Sequence, residues 1–150
     1  VDIPVNIGQK MGIEGKAAAA TDIIQPIIDY HVALEMKNLE LLRNSVYTSV
    51  YRVYCGHSDH FGDWEPWPRL TREDICRNFG HAFDNDDFYY ENKIDFCSVV
   101  LNGDEALIRT HESGRTWKDR SWEQVEVLWH TTRISDEVWQ IAGHVHHLGD

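Results

Sequence analysis

The stretch from Ser121 to His147, SWEQVEVLWHTTRISDEVWQIAGHVHH, constrains the fold more than any other part of the chain. Two runs rich in Val, Ile, Thr and Trp flank the polar tip Ser135-Asp136-Glu137, and the second run closes in three histidines among four residues. β-Branched and aromatic residues suit a pleated, half-buried surface, so the two runs are expected to form an antiparallel strand pair. With Asp136-Glu137 as a two-residue tip, Ser135 opposes Val138, Trp129 opposes His144, Val127 opposes His146 and Glu126 opposes His147. Alternation then places Glu126, Leu128, His130, Thr132, Trp139, Ile141, Val145 and His147 on one face, and Val127, Trp129, Thr131, Ala142, His144 and His146 on the other. The Trp139-Ile141-Val145 face has the aliphatic residues that packed helices need. It is therefore expected to be concave, with Glu126, His130 and His147 pointing toward a pocket.

The rest of the chain supplies what packs on that pair. Residues 1–15 carry Pro4 and glycines at 8, 12 and 15 without periodicity and read as an arm, leaving 16–150 as a single domain. Lys16 to Ile24 holds the helix former AAAA. Pro26 is expected at a helix start or a kink, because inside a helix it removes a backbone bond and clashes with the preceding turn. Ile27, Ile28, Tyr30, His31, Leu34 and Leu41 give a broad apolar stripe at helical spacing, broken near Lys37-Asn38. Val46 to Tyr54 alternates like a strand. The segment CGHSDHFGDWEPWPRL that follows reads as a long loop with a short strand near Trp64 to Trp67. Thr71 is an N-cap with Asp74 as its capping-box partner, opening a helix with Ile75, Phe79, Ala82 and Phe83 on its buried face, and Asp84 to Asp87 ends it. Phe88 to Leu101 and Glu105 to Ser113 are strands joined at Asn102-Gly103. That tip sets Leu101 opposite Asp104, Phe96 opposite Arg109, Asp95 opposite Thr110 and Ile94 opposite His111. Helices first, then four long strands, is an α+β order with a strongly curved antiparallel sheet.

Charge and cysteine usage narrow the function classes. Twenty-five acidic against 14 basic residues give a net charge of -11, which disfavours phosphate-backbone binding and adhesion to anionic lipid, so neither nucleic acid nor membrane is an expected partner. Cys55, Cys76 and Cys97 form an odd set without a CxxC pair and fit the reduced thiols of a cytoplasm. The start of the chain lacks a basic-then-apolar secretion pattern, and no run approaches the ~20 apolar residues that span a bilayer. There is no GxSxG, Walker loop, GxGxxG or HExxH, which removes the serine-hydrolase, nucleotide and dinucleotide readings.

Three segments carry a family resemblance. IDYHVALEMKNLELL (Ile28 to Leu42), LTREDICRNFGHAF (Leu70 to Phe83) and VWQIAGHVHH (Val138 to His147) resemble the opening helix, the following helix and the closing strand of the nuclear-transport-factor-2-like superfamily. SnoaL-like cyclases, ketosteroid isomerases, epoxide hydrolases, dehydratases and kinase association domains share that fold. The resemblance implies a cone-like sheet wrapped around helices, a pocket on the concave face and a homodimer. It also implies a cofactor-independent isomerase, cyclase, dehydratase or hydrolase working by general acid and base on a mainly apolar small molecule. A fold of this kind serves binders and assembly modules as well as enzymes, so a non-catalytic ligand-binding or dimerisation module is the alternative.

The candidate residues follow from those readings. Glu126 beside His130 and His147 in a partly dry cavity suits acid and base work near neutral pH; the rival reading is a set of hydrogen-bonded sheet-edge residues. Arg109 and His111 share one strand face, resembling the epoxide-hydrolase arrangement except that His111 stands where that family has an acid. Asp95 is a candidate base. Tyr30 and His31 lie toward the buried side of the first helix, where a ligand would meet them, although a lone histidine on an apolar face is commonly a satisfied core residue. Trp64, Trp67 and Trp139 are candidates to stack on a flat apolar ligand. A further alternative is a transition-metal protein, since Cys55, His57, Asp59 and His60 lie close in sequence and His144, His146 and His147 add donors, yet CGHSDH matches no specific zinc spacing.

Overall fold

The computed structural model describes residues 17–50, 52–58, 69–118 and 120–147. In chain order they form α1 (Ala17–Met36), the short α2 (Leu39–Leu41) continuing into a π-helical turn (Leu42–Val46), β1 (Val53–Ser58), β2 (Arg69–Leu70), α3 (Arg72–Phe83), β3 (Phe88–Asn102), β4 (Glu105–Trp117), β5 (Arg120–Ser135) and β6 (Val138–His147). The α+β class is as expected. The six strands make one sheet in the order β2-β1-β6-β5-β4-β3. Every pairing is antiparallel except β1 with β6, which run parallel, so the sheet is mixed.

α1 runs unbroken through Pro26, which is buried within it. The cost of the missing backbone bond is met by burial of a stripe in which Ile23, Ile27, Tyr30, His31 and Leu34 all lie under one-tenth exposed. The break near Lys37-Asn38 is as read: Lys37 takes φ 53° and the Asn38 side chain caps the Leu41 amide. Thr71 caps α3 by accepting from the Asp74 amide at 3.1 Å. Ile75 and Cys76 are buried, and Phe79, Ala82 and Phe83 pack partly buried on the core.

Two strand boundaries differ from expectation. Val46 to Tyr54 is a strand only from Val53. Its earlier residues Val46, Tyr47 and Thr48 are buried and serve as core, tied to β6 through the Thr48 amide on the Ile141 carbonyl. The β3-β4 tip is Gly103-Asp104, with Gly103 at φ 62°, where only glycine is unstrained. Asn102 therefore opposes Glu105, and a bulge at Cys97 sets Phe96 opposite Thr110, Asp95 opposite His111 and Ile94 opposite Glu112. Each of the earlier pairs is displaced.

The β5-β6 register agrees with the sequence at Ser135–Val138, Trp129–His144, Val127–His146 and Glu126–His147. The choice of concave face does not. His130 pairs with Gly143 but Thr131 pairs with Ile141, so Ala142 is an extra residue in β6. Such a bulge reverses facing on one side of it. Trp139 and Ile141 consequently share the inner face with Trp129, His144 and His146, while Glu126 and His130 lie on the outer face. The hydrophobic core fills the space between α1 and the inner face.

Candidate functional site

The inner face is built from alternate residues of β3 and β4. Tyr90, Asn92, Ile94 and Phe96 form one row, and Ala106, Ile108, Thr110 and Glu112 the next, all under one-tenth exposed. Each row is apolar at one end and polar at the other, and the α1 stripe lays His31 over the polar ends. Glu112 is 3% exposed and His31 fully buried.

The two residues meet. His31 Nε2 lies 2.7 Å from Glu112 Oε1, and His31 Nδ1 lies 2.7 Å from the Ile27 carbonyl oxygen. Asn92 Nδ2 donates to Glu112 Oε1 at 2.9 Å, Thr110 Oγ1 donates to Oε2 at 2.5 Å, and Trp129 Nε1 donates to Thr110 Oγ1 at 2.9 Å while approaching Oε2 at 3.3 Å. Glu112 is thus ringed by donors and acts as an acceptor-only carboxylate. Nδ1 of His31 donates to the carbonyl, and Nε2 is set against the carboxylate. Burial is the largest influence on the Glu112 carboxyl and pushes its pKa up, but the His31 charge and the hydrogen bonds from His31, Thr110 and Asn92 outweigh it and hold the pKa at about 2.

Two valences stay open at the edge of this network. Asn92 Oδ1 is buried and has no hydrogen-bond partner among the described residues. Tyr90 accepts from Asn92 Nδ2 at 2.8 Å, and its own hydroxyl proton has no acceptor among the described residues. Burial, foremost, and the neighbouring Tyr30 and Glu112 raise the Tyr90 phenol well above its ordinary range, so it stays a donor. Tyr30 stands edge-on to His31, Trp129 and His144 at 5.1, 5.2 and 5.5 Å between ring centres. His144 stacks on Trp129 at 4.7 Å. The surface depressions around Arg52–Glu73 and between Leu39 and Asp84 contain no member of this network.

Of the residues singled out from the sequence, Tyr30, His31 and Trp139 are on the inner side and buried. Glu126, His130, Asp95, Arg109 and His111 are on the outer face, which corrects the pocket-facing expectation for Glu126 and His130. Arg109 pairs with Glu126 at 2.9 Å with half of its own side chain in solvent, and His130 bridges Glu105 at 3.0 Å and the Tyr54 hydroxyl at 2.5 Å. Asp95 and His111 face each other, exposed, across β3 and β4. His147 is the register partner of Glu126. Trp64, Trp67, Asp59 and His60, like the 1–15 arm, lie outside the described residues. Glu112, Asn92, Tyr90 and Thr110 were missed, and a signal for them existed: each is a polar residue in the same alternate row as Ile94 and Phe96 or Ala106 and Ile108.

No family sequence model matches the chain, and no curated protein matches it by sequence. Solved structures do. A candidate dehydratase of the NTF2-like family from Streptomyces avermitilis matches with a TM-score of 0.62 at 20% identity, covering 85% of this chain and 95% of its own. A ketosteroid isomerase-like protein from Erwinia carotovora atroseptica matches at 0.59 and 14% identity, covering 84% and 92%. A domain of unknown function with a cystatin-like fold from Nostoc punctiforme matches at 0.61 and 18% identity, covering 88% and 78%. The chain has the NTF2-like, cystatin-like fold. Among the described residues, no helix is long and apolar enough to cross a membrane.

Proposed function

We propose that the protein is a small-molecule enzyme of the isomerase or dehydratase type, with His31 and Glu112 as its acid–base pair and Tyr90 and Asn92 as the polar handle for substrate. The observation that carries this reading is a buried His–carboxylate pair beside a buried acceptor, Asn92 Oδ1, that no donor among the described residues satisfies. Buried polar groups are nearly always paired, so an unpaired acceptor next to a phenol with a spare proton suits a ligand that both donates and accepts, such as a hydroxyl or an enolisable ketone. Tyr90 would donate to developing negative charge on the substrate oxygen. Glu112 would take a proton only after shifting away from one of its donors, and His31 would return one. The resemblance to structures named as a dehydratase and as ketosteroid isomerase-like supports the same class.

The test is enone formation from a panel of β,γ-unsaturated and β-hydroxy ketones, followed by ultraviolet absorbance in chelator-treated protein. Turnover that falls at least about 100-fold in Glu112→Gln and Tyr90→Phe supports the reading, in the range expected for a lost acid–base group. Turnover that is absent across the panel, or unchanged in both variants, overturns it in favour of a binding module.

We also propose a homodimer joined through the outer face of β3 to β6, where Leu107 and Val138 are exposed beside the Arg109–Glu126 pair. A monomeric mass by light scattering would remove this proposal.

A further inference from the structure

The outer face carries a constellation that the His31–Glu112 pair does not use. Tyr54 on β1, Gly143 on β6, His130 on β5 and Leu107 on β4 are successive register partners, so they form one row across four strands. Adjacent strands lie about 4.8 Å apart, which leaves two strand spacings between Tyr54 and His130. The phenol spans that gap: its hydroxyl lies 2.5 Å from His130 Nδ1, with the two ring centres 5.8 Å apart. It does so over Gly143, where a Cβ atom would meet the ring at 2.3–2.5 Å. Gly143 lies outside the left-handed region, so the glycine serves the passage of the ring rather than the backbone.

Behind the imidazole stands an acid. His130 Nε2 lies 3.0 Å from Glu105 Oε1. A carboxylate only accepts, so the neutral ring carries its proton on Nε2 and keeps the Nδ1 lone pair for the Tyr54 hydroxyl. Hydroxyl, imidazole and carboxylate in this order are a nucleophile, a base and the group that orients the base, and tyrosine is among the side chains that form covalent intermediates. The imidazole is 20% exposed and the carboxylate 54%, so the relay opens to solvent at its basic end. Tyr54 is 5% exposed, which admits only a small group at its hydroxyl.

We propose that Tyr54, His130 and Glu105 form an acyl-transfer site for aryl esters of short-chain acids. Tyr54 Oη bonds to the acyl carbon while its proton passes to His130 Nδ1; the ester C–O bond breaks, and the departing aryloxide takes that proton. A phenol expels an aryloxide of similar basicity, whereas an alkoxide leaves less readily than the phenol itself, which restricts the substrate to aryl esters. The acyl-tyrosine is again an aryl ester. Water attacks it, giving a proton to His130 Nδ1, and the acid departs as Tyr54 Oη recovers that proton. Glu105 touches no reacting atom and is a positioning residue.

The probe is p-nitrophenyl acetate. Mixed with the folded protein it should release an equimolar burst of nitrophenol, and peptide mass spectrometry should find the acetyl group on Tyr54. That position is read on the natural protein, so it stands whether or not a variant folds. Tyr54→Phe and His130→Gln should each abolish the burst, whereas Tyr89→Phe, at an exposed tyrosine bonded to Glu91, should leave it intact. Glu105→Ala should slow the burst about 10–100-fold, as loss of an orienting partner does, and nitrogen NMR should show His130 losing its fixed Nε2–H tautomer. Leu107 belongs to the face read above as a dimer contact, so the burst is followed over a dilution series with light scattering alongside. Acetyl groups found only on other residues, a burst that survives Tyr54→Phe or His130→Gln, an unchanged rate in Glu105→Ala, or no burst at any dilution would each overturn the proposal.

Discussion

Glu112 and Glu126 stand on neighbouring strands and each faces a basic partner, yet they lie on opposite faces of the sheet and in different physical regimes. Glu126 meets Arg109 with a quarter of its own side chain and half of the arginine in water. Glu112 meets His31 with almost nothing of either exposed, and gathers Asn92, Thr110 and Trp129 as well. Solvent screens the first pair and relaxes its geometry, which leaves it worth little. The second has no water to fall back on, so each missing donor would expose the full desolvation penalty of a buried charge. The electrostatic contribution to stability is therefore concentrated on the inner face, although the outer face displays the more conspicuous cluster of charges.

The largest effect should come from Glu112→Gln, which breaks the buried pair with His31. A loss of about 3–5 kcal/mol in urea unfolding is expected, as for other broken buried pairs. A loss under about 1 kcal/mol would mean that His31 is not charged in the folded protein. Acid unfolding probes the same pair by another route. The Glu112 pKa is lowered in the fold from its ordinary 4.5 to about 2, so its stabilisation is complete above 4.5 and drains away as pH falls through that interval. Circular dichroism between those limits should show a steep loss in the natural protein and a flatter one in Glu112→Gln. Equal slopes would break the contrast between the two faces.

How much of this was legible in the sequence depended on whether a feature was local. The Thr71 cap, the break at Lys37-Asn38 and the Asp136-Glu137 tip are set by a few neighbouring residues, and each stands where the pattern put it. The concave face was lost at Ala142. A bulge leaves no composition signature: the extra Ala142 in β6 separates Trp139 and Ile141 from Val145, and the expected register holds on both sides because Ile134 is an extra residue in β5. Glu112 was passed over for a related reason. Arg109 and His111 occupy the odd positions of β4, whereas the even positions Ala106 and Ile108 mark the buried row that Thr110 and Glu112 continue. A carboxylate in phase with the apolar residues of a strand is the stronger signal, because only a partner across the core makes it tolerable. The Cys55–His144 and His57–His146 pairings join strands far apart in the chain, and no local pattern announces a parallel partner.

An intermediate effect is expected at Gly143, which ties the outer face to β1. A methyl group added there would meet the Tyr54 ring at 2.3–2.5 Å, so the ring must move and release the His130 imidazole it now bonds. Gly143→Ala should cost about 1–3 kcal/mol, as overpacking of a close contact does. Tyr54→Ala in the same chain removes the obstacle, and a double-mutant cycle should return a favourable coupling between the two changes. Strict additivity would show that the backbone, not the ring, is what the methyl group disturbs.

The smallest effect should come from the pair that looks most like an active site in the sequence. Arg109→Ala is expected to change stability by less than about 1 kcal/mol, and Glu126→Gln likewise, because each partner keeps access to water when the other is gone. Salt should erase what coupling there is, since an exposed pair is screened while the buried His31–Glu112 pair is not. Thermal unfolding of both variants at low and high ionic strength checks this directly. A large, salt-resistant loss in Arg109→Ala would show that the outer face is covered when the protein is folded. That outcome would favour the dimer joined through this surface, and light scattering on the variant would then report monomers.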